Sequence, residues 1–204
     1  MSVGQVPSDP SVVVVVPIRS LGDGKTRLRR ELSSSQRSEL VRSMAQHVIS
    51  VAAPRPTVVV TSDPAVRDWA SDLCDVLMAP SGLNSAVQFA FESLRGRFDR
   101  VIVVHADLAH LESLDAFDPP ATPTEFLTAS IGPDSTSMGT NVLSLPGSVD
   151  FVFEYGAGSF DRHLRQLLDL GIDPTIIRGR DTEFDLDTSV DLATLSRSSS
   201  PRIT

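Results

Sequence analysis

A chain of 204 residues with 26 Asp and Glu against 18 Lys and Arg, a net charge of −8, is long enough for one domain with a full core. Its overall sign opposes binding to bulk nucleic acid. A single cysteine, Cys74, excludes an intrachain disulfide and suits a reducing cytoplasm. The valine run at 12–16 is too short for a membrane span or a signal core, and no Lys or Arg precedes it. We therefore expect a cytoplasmic protein without a membrane segment, with one domain over 11–196 and flexible polar tails at 1–10 and 197–204.

The valine run lacks alternation and closes on Pro17, which predicts a central strand buried on both faces. The loop after it is cationic and carries glycines: Arg19, Lys25, Arg27, Arg29 and Arg30 stand among Gly22 and Gly24. Ligands of open α/β sheets bind beyond the carboxyl ends of strands, so polyphosphate is expected here, against the plainer reading of a solvated basic loop. Gly24-Lys25-Thr26 copies the close of a P-loop, but Arg19 occupies the position of its opening glycine and no strand ends in an Asp suited to a Walker B.

Leu40, Met44, His47, Val48 and Val51 recur at helical spacing, predicting a helix that follows the serines at 33–35 and stops near Ala52, with His47 packed rather than ligating. A strand at 57–61, a short helix at 65–73 and a brief strand at 75–78 complete a β-α-β-α-β opening, the pattern of a doubly wound parallel sheet. The turn at 80–84 launches a helix striped by Leu83, Ala86, Val87, Ala90, Phe91 and Leu94, whose phenylalanines are expected in the core. Asn84 falls in its first turn, facing the ligand edge.

A buried strand at 100–104 delivers His105-Ala106-Asp107 to its carboxyl end. Asp107 is either the N-cap of a following helix or a metal carboxylate, while the spacing of His105 and His110 matches no metal pair. A strand at 125–130 and another at 138–145, joined by a short polar return, predict an antiparallel pair and a mixed sheet. Between them, Gly139 and Thr140 are either turn residues or an approach for an anion. Tyr155-Gly156-Ala157-Gly158-Ser159 precedes a helix marked by Phe160, Leu164, Leu167 and Leu168 and stopped at Gly171, with Ser159 as its expected N-cap. The segment reads either as an ordinary capped helix or as an anion cradle reinforced by Arg162 and His163. After a last strand at 175–177, Asp185 and Asp187 lie two apart, on one face of an extended chain. Thr188 and Asp191 form the capping box of a final helix, which leaves that pair without a structural task and makes a divalent metal the economical partner.

Six of these pieces occur together in order: Pro17 with Gly24-Lys25-Thr26-Arg27-Leu28, Gly82-Leu83-Asn84, Ala106-Asp107-Leu108, Pro133-Asp134 with Gly139-Thr140-Asn141, Tyr155-Gly156 with Gly158-Ser159-Phe160 and Arg162-His163, and Asp185-Leu186-Asp187-Thr188. In this the chain resembles the 2-phospho-L-lactate or phosphoenolpyruvate guanylyltransferase family of coenzyme F420 biosynthesis, over roughly residues 12 to 195. Arg19 stands where the family usually has Lys, Gly24 where Ala is common, and Ala109 where Pro often follows Asp-Leu.

The resemblance implies a three-layer α/β/α fold with a mixed, mostly parallel sheet, of the nucleotide-diphospho-sugar transferase type. It implies a catalytic set of Lys25, Arg27 and Asp107, with Lys25 and Arg27 on the GTP phosphates and Gly82 and Asn84 beside the nucleotide. Asp107, Asp185 and Asp187 would bind Mg²⁺, and Thr140, Gly156 and Ser159 would hold the acceptor's phosphate and carboxylate. The implied reaction is attack by the acceptor's phosphate on the α-phosphorus of GTP, releasing pyrophosphate. That nucleophile is already ionised near neutral pH, so the want of a Ser/His/Asp or Cys/His set is expected. The implied partners are GTP, a small phosphorylated carboxylic acid and, transiently, the downstream transferase, with the protein a monomer or homodimer and neither nucleic acid nor membrane involved. Phosphoenolpyruvate, 2-phospho-L-lactate and 3-phospho-D-glycerate share the recognised groups, so the acid stays open. Two other readings stand beside this one: a non-catalytic sensor on the same fold, and a related nucleotidyltransferase for a sugar phosphate or molybdopterin.

Overall fold

The computed structural model describes residues 12–22, 28, 30–119 and 127–183. The tails, the candidate residues Lys25, Arg27, Asp185 and Asp187, and the final helix expected after Thr188 lie outside them. Strand β1 (Val12–Pro17) is the axis. Successive side chains of a strand point to opposite faces, so its valines divide between two cores. Val13 and Val15 pack with Val87, Phe91, Phe160 and Leu167, whereas Val12, Val14 and Val16 pack with Ala45, Val48, Ile49, Val66 and Ala70. The result is three layers. Helices α1 (Ser34–Ala52) and α2 (Pro64–Ala70) cover one face of the sheet, and α3 (Leu83–Leu94) and α4 (Ser159–Asp169) cover the other.

The remaining strands are β2 (Thr57–Thr61), β3 (Asp75–Met78), β4 (Arg100–Val104), β5 (Ser130–Pro133), β6 (Thr140–Pro146) and β7 (Thr175–Ile176). They lie in the order β3-β2-β1-β4-β6-β5-β7. Strand β6 runs against both of its neighbours and the other pairings are parallel, so the sheet is mixed as expected. A four-residue helix, α5 (Arg180–Glu183), follows β7.

Several boundaries differ from the sequence reading. The strand expected at 125–130 starts only at Ser130 and runs on through the Gly-Pro that was read as its return. Residues 127–129 are not part of it: Arg100 donates to the Thr128 carbonyl and hydroxyl at 3.1 and 2.9 Å, and only the Ala129 carbonyl makes a backbone bond to β7, from Thr175 N at 2.9 Å. Helix α2 ends at Ala70 rather than 73, where Ser71 caps it. Phe91 is buried, but Phe89 is 40% exposed against the expectation for α3, because it sits about 200° around the helix from Phe91. Among the described residues no helix is long and apolar enough to cross a membrane.

Helix α1 opens with a reciprocal cap: the Ser33 hydroxyl accepts from Gln36 N at 3.3 Å and the Gln36 side chain accepts from Ser33 N at 2.9 Å. Replacing Ser33 with Ala is expected to cost about 1 kcal/mol in a denaturant titration. Gly147 meets a harder limit. Its N–H donates to Asp99 O at 2.7 Å, and a Cβ there would press on the Phe98 carbonyl oxygen and lie 2.9 Å from that of Arg95. Gly147→Ala is expected to destabilise by about 1–3 kcal/mol, read as a lower thermal midpoint with the same secondary structure.

Candidate active site

Registers place the candidate residues along one sheet edge. Val104 pairs with Val142 and Pro133 with Thr140, so the carboxyl ends of β4 and β5 and the start of β6 lie side by side. The chain beyond β1 leaves from the same edge: Ile18 N donates to Val60 O at 3.0 Å, extending the pairing with β2. Lys25 and Arg27 fall in the part of this loop outside the described residues, and its far side is anchored by Leu28, fully buried against Met44, Leu32, Leu40 and Ala109.

Asp107 is half-buried three residues past β4, and no helix follows for it to cap. The chain turns instead, with Ala109 N donating to Asp107 O at 3.0 Å and Leu111 N to Leu108 O at 3.2 Å. The turn therefore forms without the family's Pro, which could not make the first of these bonds. His105 is held by its backbone N–H to Asn141 O at 3.0 Å, with its ring 5.1 Å from that of Tyr155. Among the described residues no three His, Cys, Asp or Glu side chains are gathered as a metal site. The described chain ends at this same edge, where Thr182 O accepts from the Asn141 side chain at 3.0 Å and Glu183 O from Ser135 N at 3.1 Å.

Asp134 organises the β5–β6 turn, accepting from Thr136 N, the Thr136 hydroxyl and Met138 N at 2.9–3.0 Å. Burial alone would raise its carboxyl, but the N–H groups of Gly139, Met138 and Thr136 outweigh that and hold it below the usual range. Gly139 is thus a turn residue whose N–H already meets an anion, the Asp134 carboxylate. A Cβ on Gly139 would stand 2.7 Å from Asp134 Oδ2.

The segment 151–155 is outside every strand, and side chains of α3 and α4 take the place of a ladder. Gln88 donates to Phe151 O at 3.1 Å and accepts from Phe153 N at 3.1 Å; Gln166 accepts from Val152 N at 2.7 Å and donates to Val152 O at 3.0 Å. Asn84 accepts from Tyr155 N at 2.6 Å and donates to Tyr155 O at 3.2 Å. His163 accepts from Glu154 N at 2.9 Å, and Arg162 donates to the carbonyls of Glu154 and Ala157 at 2.8 and 2.9 Å. Arg162 and His163 therefore brace the backbone of the glycine loop rather than reinforcing an anion cradle with free charge. Asn84, expected beside the nucleotide, is joined to this loop.

That loop turns on Gly156 (φ 126°) and Gly158 (φ 77°). The N-cap of α4 is Gly158, not Ser159, because the cap residue is left-handed, a conformation that disfavours a Ser. Among the described residues no side chain caps α4, nor does one cap α3 after Gly82 (φ 100°), so within them both helix starts at this edge keep their positive ends uncovered by side chains. Ser159 turns inward: its buried hydroxyl lies 3.4 Å from that of Thr140, which lies 3.0 Å from His163 Nδ1. Of the expected acceptor residues, Thr140 and Ser159 are thus brought together under the loop and Gly156 is exposed above them. Sequence reasoning missed Gln88 and Gln166. Their signal was the i, i+4 spacing of Asn84 with Gln88 and of Arg162 with Gln166, flanking an apolar stretch that no strand pattern claimed.

Two other candidates keep structural tasks. His47 on α1 is bonded through Nε2 to Leu111 O at 2.8 Å, as a packed residue. Cys74 is half-buried, burial pushes its thiol up, and it lines a cleft of about 520 Å³ with Thr57 and Asp75 at the amino ends of β2 and β3, the edge opposite to the site.

Residues 12–197 match the family described as "Guanylyl transferase CofC like". A phosphoenolpyruvate guanylyltransferase of Rubrobacter xylanophilus is 33% identical over 196 residues, covering 92% of this chain and 95% of the relative. One of Sphaerobacter thermophilus is 31% identical over 195 residues, covering 91% and 93%. A 2-phospho-L-lactate guanylyltransferase of Methanocaldococcus vulcanius is 25% identical over 189 residues, covering 89% and 82%. Among solved structures, a protein of Desulfovibrio desulfuricans G20 described as a nucleotide-diphospho-sugar transferase superposes with a TM-score of 0.76 at 15% identity, covering 94% of this chain and 88% of that one. A 4-diphosphocytidyl-2C-methyl-D-erythritol synthase does so at 0.60 and 14%, covering 92% and 97%. These likenesses show the expected fold. The family match runs from the first residue of β1 to beyond α5 and leaves no described strand outside it, and the chain therefore belongs to the CofC-like guanylyl transferase family.

Proposed function

We propose that this enzyme transfers GMP from GTP to the phosphate of phosphoenolpyruvate, releasing pyrophosphate, and that the product is consumed by a transferase in coenzyme F420 biosynthesis. The observation that carries this reading is the meeting, at one sheet edge, of the chain after β4, where the His105 ring lies 5.1 Å from that of Tyr155, with the glycine loop ahead of α4, where Ser159 reaches Thr140. The names of relatives similar over nine-tenths of the chain favour phosphoenolpyruvate as the acid.

In this scheme an oxygen of the acceptor's phosphate attacks the α-phosphorus of GTP in line. A phosphorus–oxygen bond of the new anhydride forms, the α–β bond breaks, and pyrophosphate departs with the electron pair. No general base is required, because the attacking phosphate is ionised. The chain must align two polyanions and offset their repulsion. The glycine loop and the positive start of α4 suit a small anionic acceptor, whereas a sugar would call for more side-chain amides and carboxylates than they present. Lys25 and Arg27 are assigned to the β- and γ-phosphates, and Gly82 to the nucleotide side.

Mg²⁺ is part of the proposal, on Asp107 with Asp185 and Asp187. Three carboxylates are hard oxygen donors of the kind this ion prefers, and Asp107 stands half-buried in the turn at the rim. When bound, the ion would offset charge on the phosphates. Asp107 would supply a carboxylate for it from the turn three residues past β4, a strand whose position is fixed by pairing on both sides.

The test is pyrophosphate release from each of the four nucleoside triphosphates with phosphoenolpyruvate, 2-phospho-L-lactate or 3-phospho-D-glycerate, with the downstream transferase present to remove product. Turnover with GTP and phosphoenolpyruvate is expected. Binding without release would mark a sensor instead, and turnover only with a sugar phosphate would mark a different nucleotidyltransferase. In the same assay Asp107→Asn is expected to lower turnover on the order of 100- to 1000-fold with an unchanged thermal midpoint; wild-type turnover would remove the carboxylate from the scheme.

A further inference from the structure

His163 is completely buried, and its two ring nitrogens face groups of unequal character. Nε2 lies 2.9 Å from the backbone N of Glu154, which can only donate, so Nε2 must be the lone-pair nitrogen. A neutral imidazole then carries its one proton on Nδ1 and gives it to Thr140 Oγ1 at 3.0 Å. The opposite tautomer would set two protons against each other at Glu154. The groups facing the ring from every side favour the neutral form: burial first, then Arg162 on its own helix and His105 after β4 push its pKa down to about 4. Tyr155, with its ring 5.0 Å away and its hydroxyl buried without a hydrogen-bond partner among the described residues, adds no charge, since burial raises that phenol.

The consequence falls on Thr140. Its oxygen accepts from His163 and lies 3.4 Å from Ser159 Oγ, so its own proton is directed away from the ring. The same imidazole fixes Glu154, two residues before Gly156, and rides on the helix that begins at Ser159. We propose that His163 is a positioning residue of the acceptor site: held as its neutral Nδ1–H tautomer, it leaves the Thr140 hydroxyl proton for an oxygen of the phosphorylated acid and pins the root of the 156–159 loop. This rests on the reading that the loop holds the acceptor, but the state of the ring can be measured without turnover.

Nitrogen-15 NMR of the histidine side chains in the whole protein, with the His163 signal identified by its loss in His163→Asn, is expected to show the Nδ1–H tautomer unchanged from pH 8 to 5.5. An Nε2–H tautomer, or titration near 6.5, would overturn the assignment. In kinetics, His163→Leu removes both bonds and is expected to raise the acceptor KM roughly tenfold, the loss of about one hydrogen bond, with the GTP KM within twofold. His163→Asn, which keeps an N–H donor near Nδ1, is expected to restore most of the acceptor KM. In a Thr140→Val background the His163→Leu effect on acceptor KM should shrink to the part carried by the bond to Glu154 N. Equal rises in both KM values, or a full His163→Leu effect without the Thr140 hydroxyl, would reduce His163 to a packing residue. If the wild-type protein turned over none of the three acids, the function would fail while an Nδ1–H signal still supported the ring's orientation.

Discussion

Burial of one strand on both faces is the constraint that the rest of the structure obeys. Four of the five valines of β1 have no exposed surface and the fifth has 9%, and each fully buried valine contributes about 1.5–3 kcal/mol that an uncovered face would forfeit. A strand with no polar side needs helices above and below, and two helices on each face meet that need. It also needs ladder partners on both sides, which β2 and β4 provide in parallel. Parallel neighbours send their carboxyl ends to one edge, so covering β1 also gathers the loop after it and Asp107 at a common rim.

The second constraint is that buried backbone must be hydrogen-bonded. Past β6 the chain has to cross the α3–α4 layer to reach the rim, and there it has no strand to pair with. The amides of Asn84, Gln88 and Gln166, the His163 ring and the Arg162 guanidinium act as a substitute ladder. Each contact is modest by itself, about 0.5–1.5 kcal/mol net. Leaving one of these groups unpaired would cost more, and the loop at 156–159 inherits its position from them.

This explains which parts of the molecule could be read in advance. Runs with strong hydrophobic character were legible: the valines of β1, the stripe of α3, and the helical spacing of α1. The antiparallel insertion of β6 was legible from a short return between two apolar stretches. The start of β5 was not, because residues 125–130 have strand composition while Arg100, a residue on another strand, engages Thr128 through its side chain. Nor was the α4 cap, since Gly158 and Ser159 are both good cap residues and only the left-handed turn chooses between them. Lys25, Arg27, Asp185 and Asp187, named from the sequence, lie outside the described residues, and of the candidates the structure describes Asp107, Gly82, Asn84, Thr140, Gly156 and Ser159.

Within that part, polarity misled in a consistent way. Asn84, Arg162 and His163 were read as groups that face a ligand, because they are polar residues beside a glycine-rich turn at the ligand edge. Their hydrogen bonds instead run to the backbone of the turn itself. A glycine loop that must present its own N–H groups has no side chains of its own to hold it in shape, so neighbouring helices must supply the donors and acceptors. A motif pairing glycines with Asn, Arg and His therefore encodes two jobs: the glycines give the loop its positive-φ turns, and the polar residues keep that loop still. The two jobs differ in what can replace them: a bracing side chain can be exchanged for another that makes the same backbone bond, whereas φ values of 126° and 77° hold positions 156 and 158 to glycine.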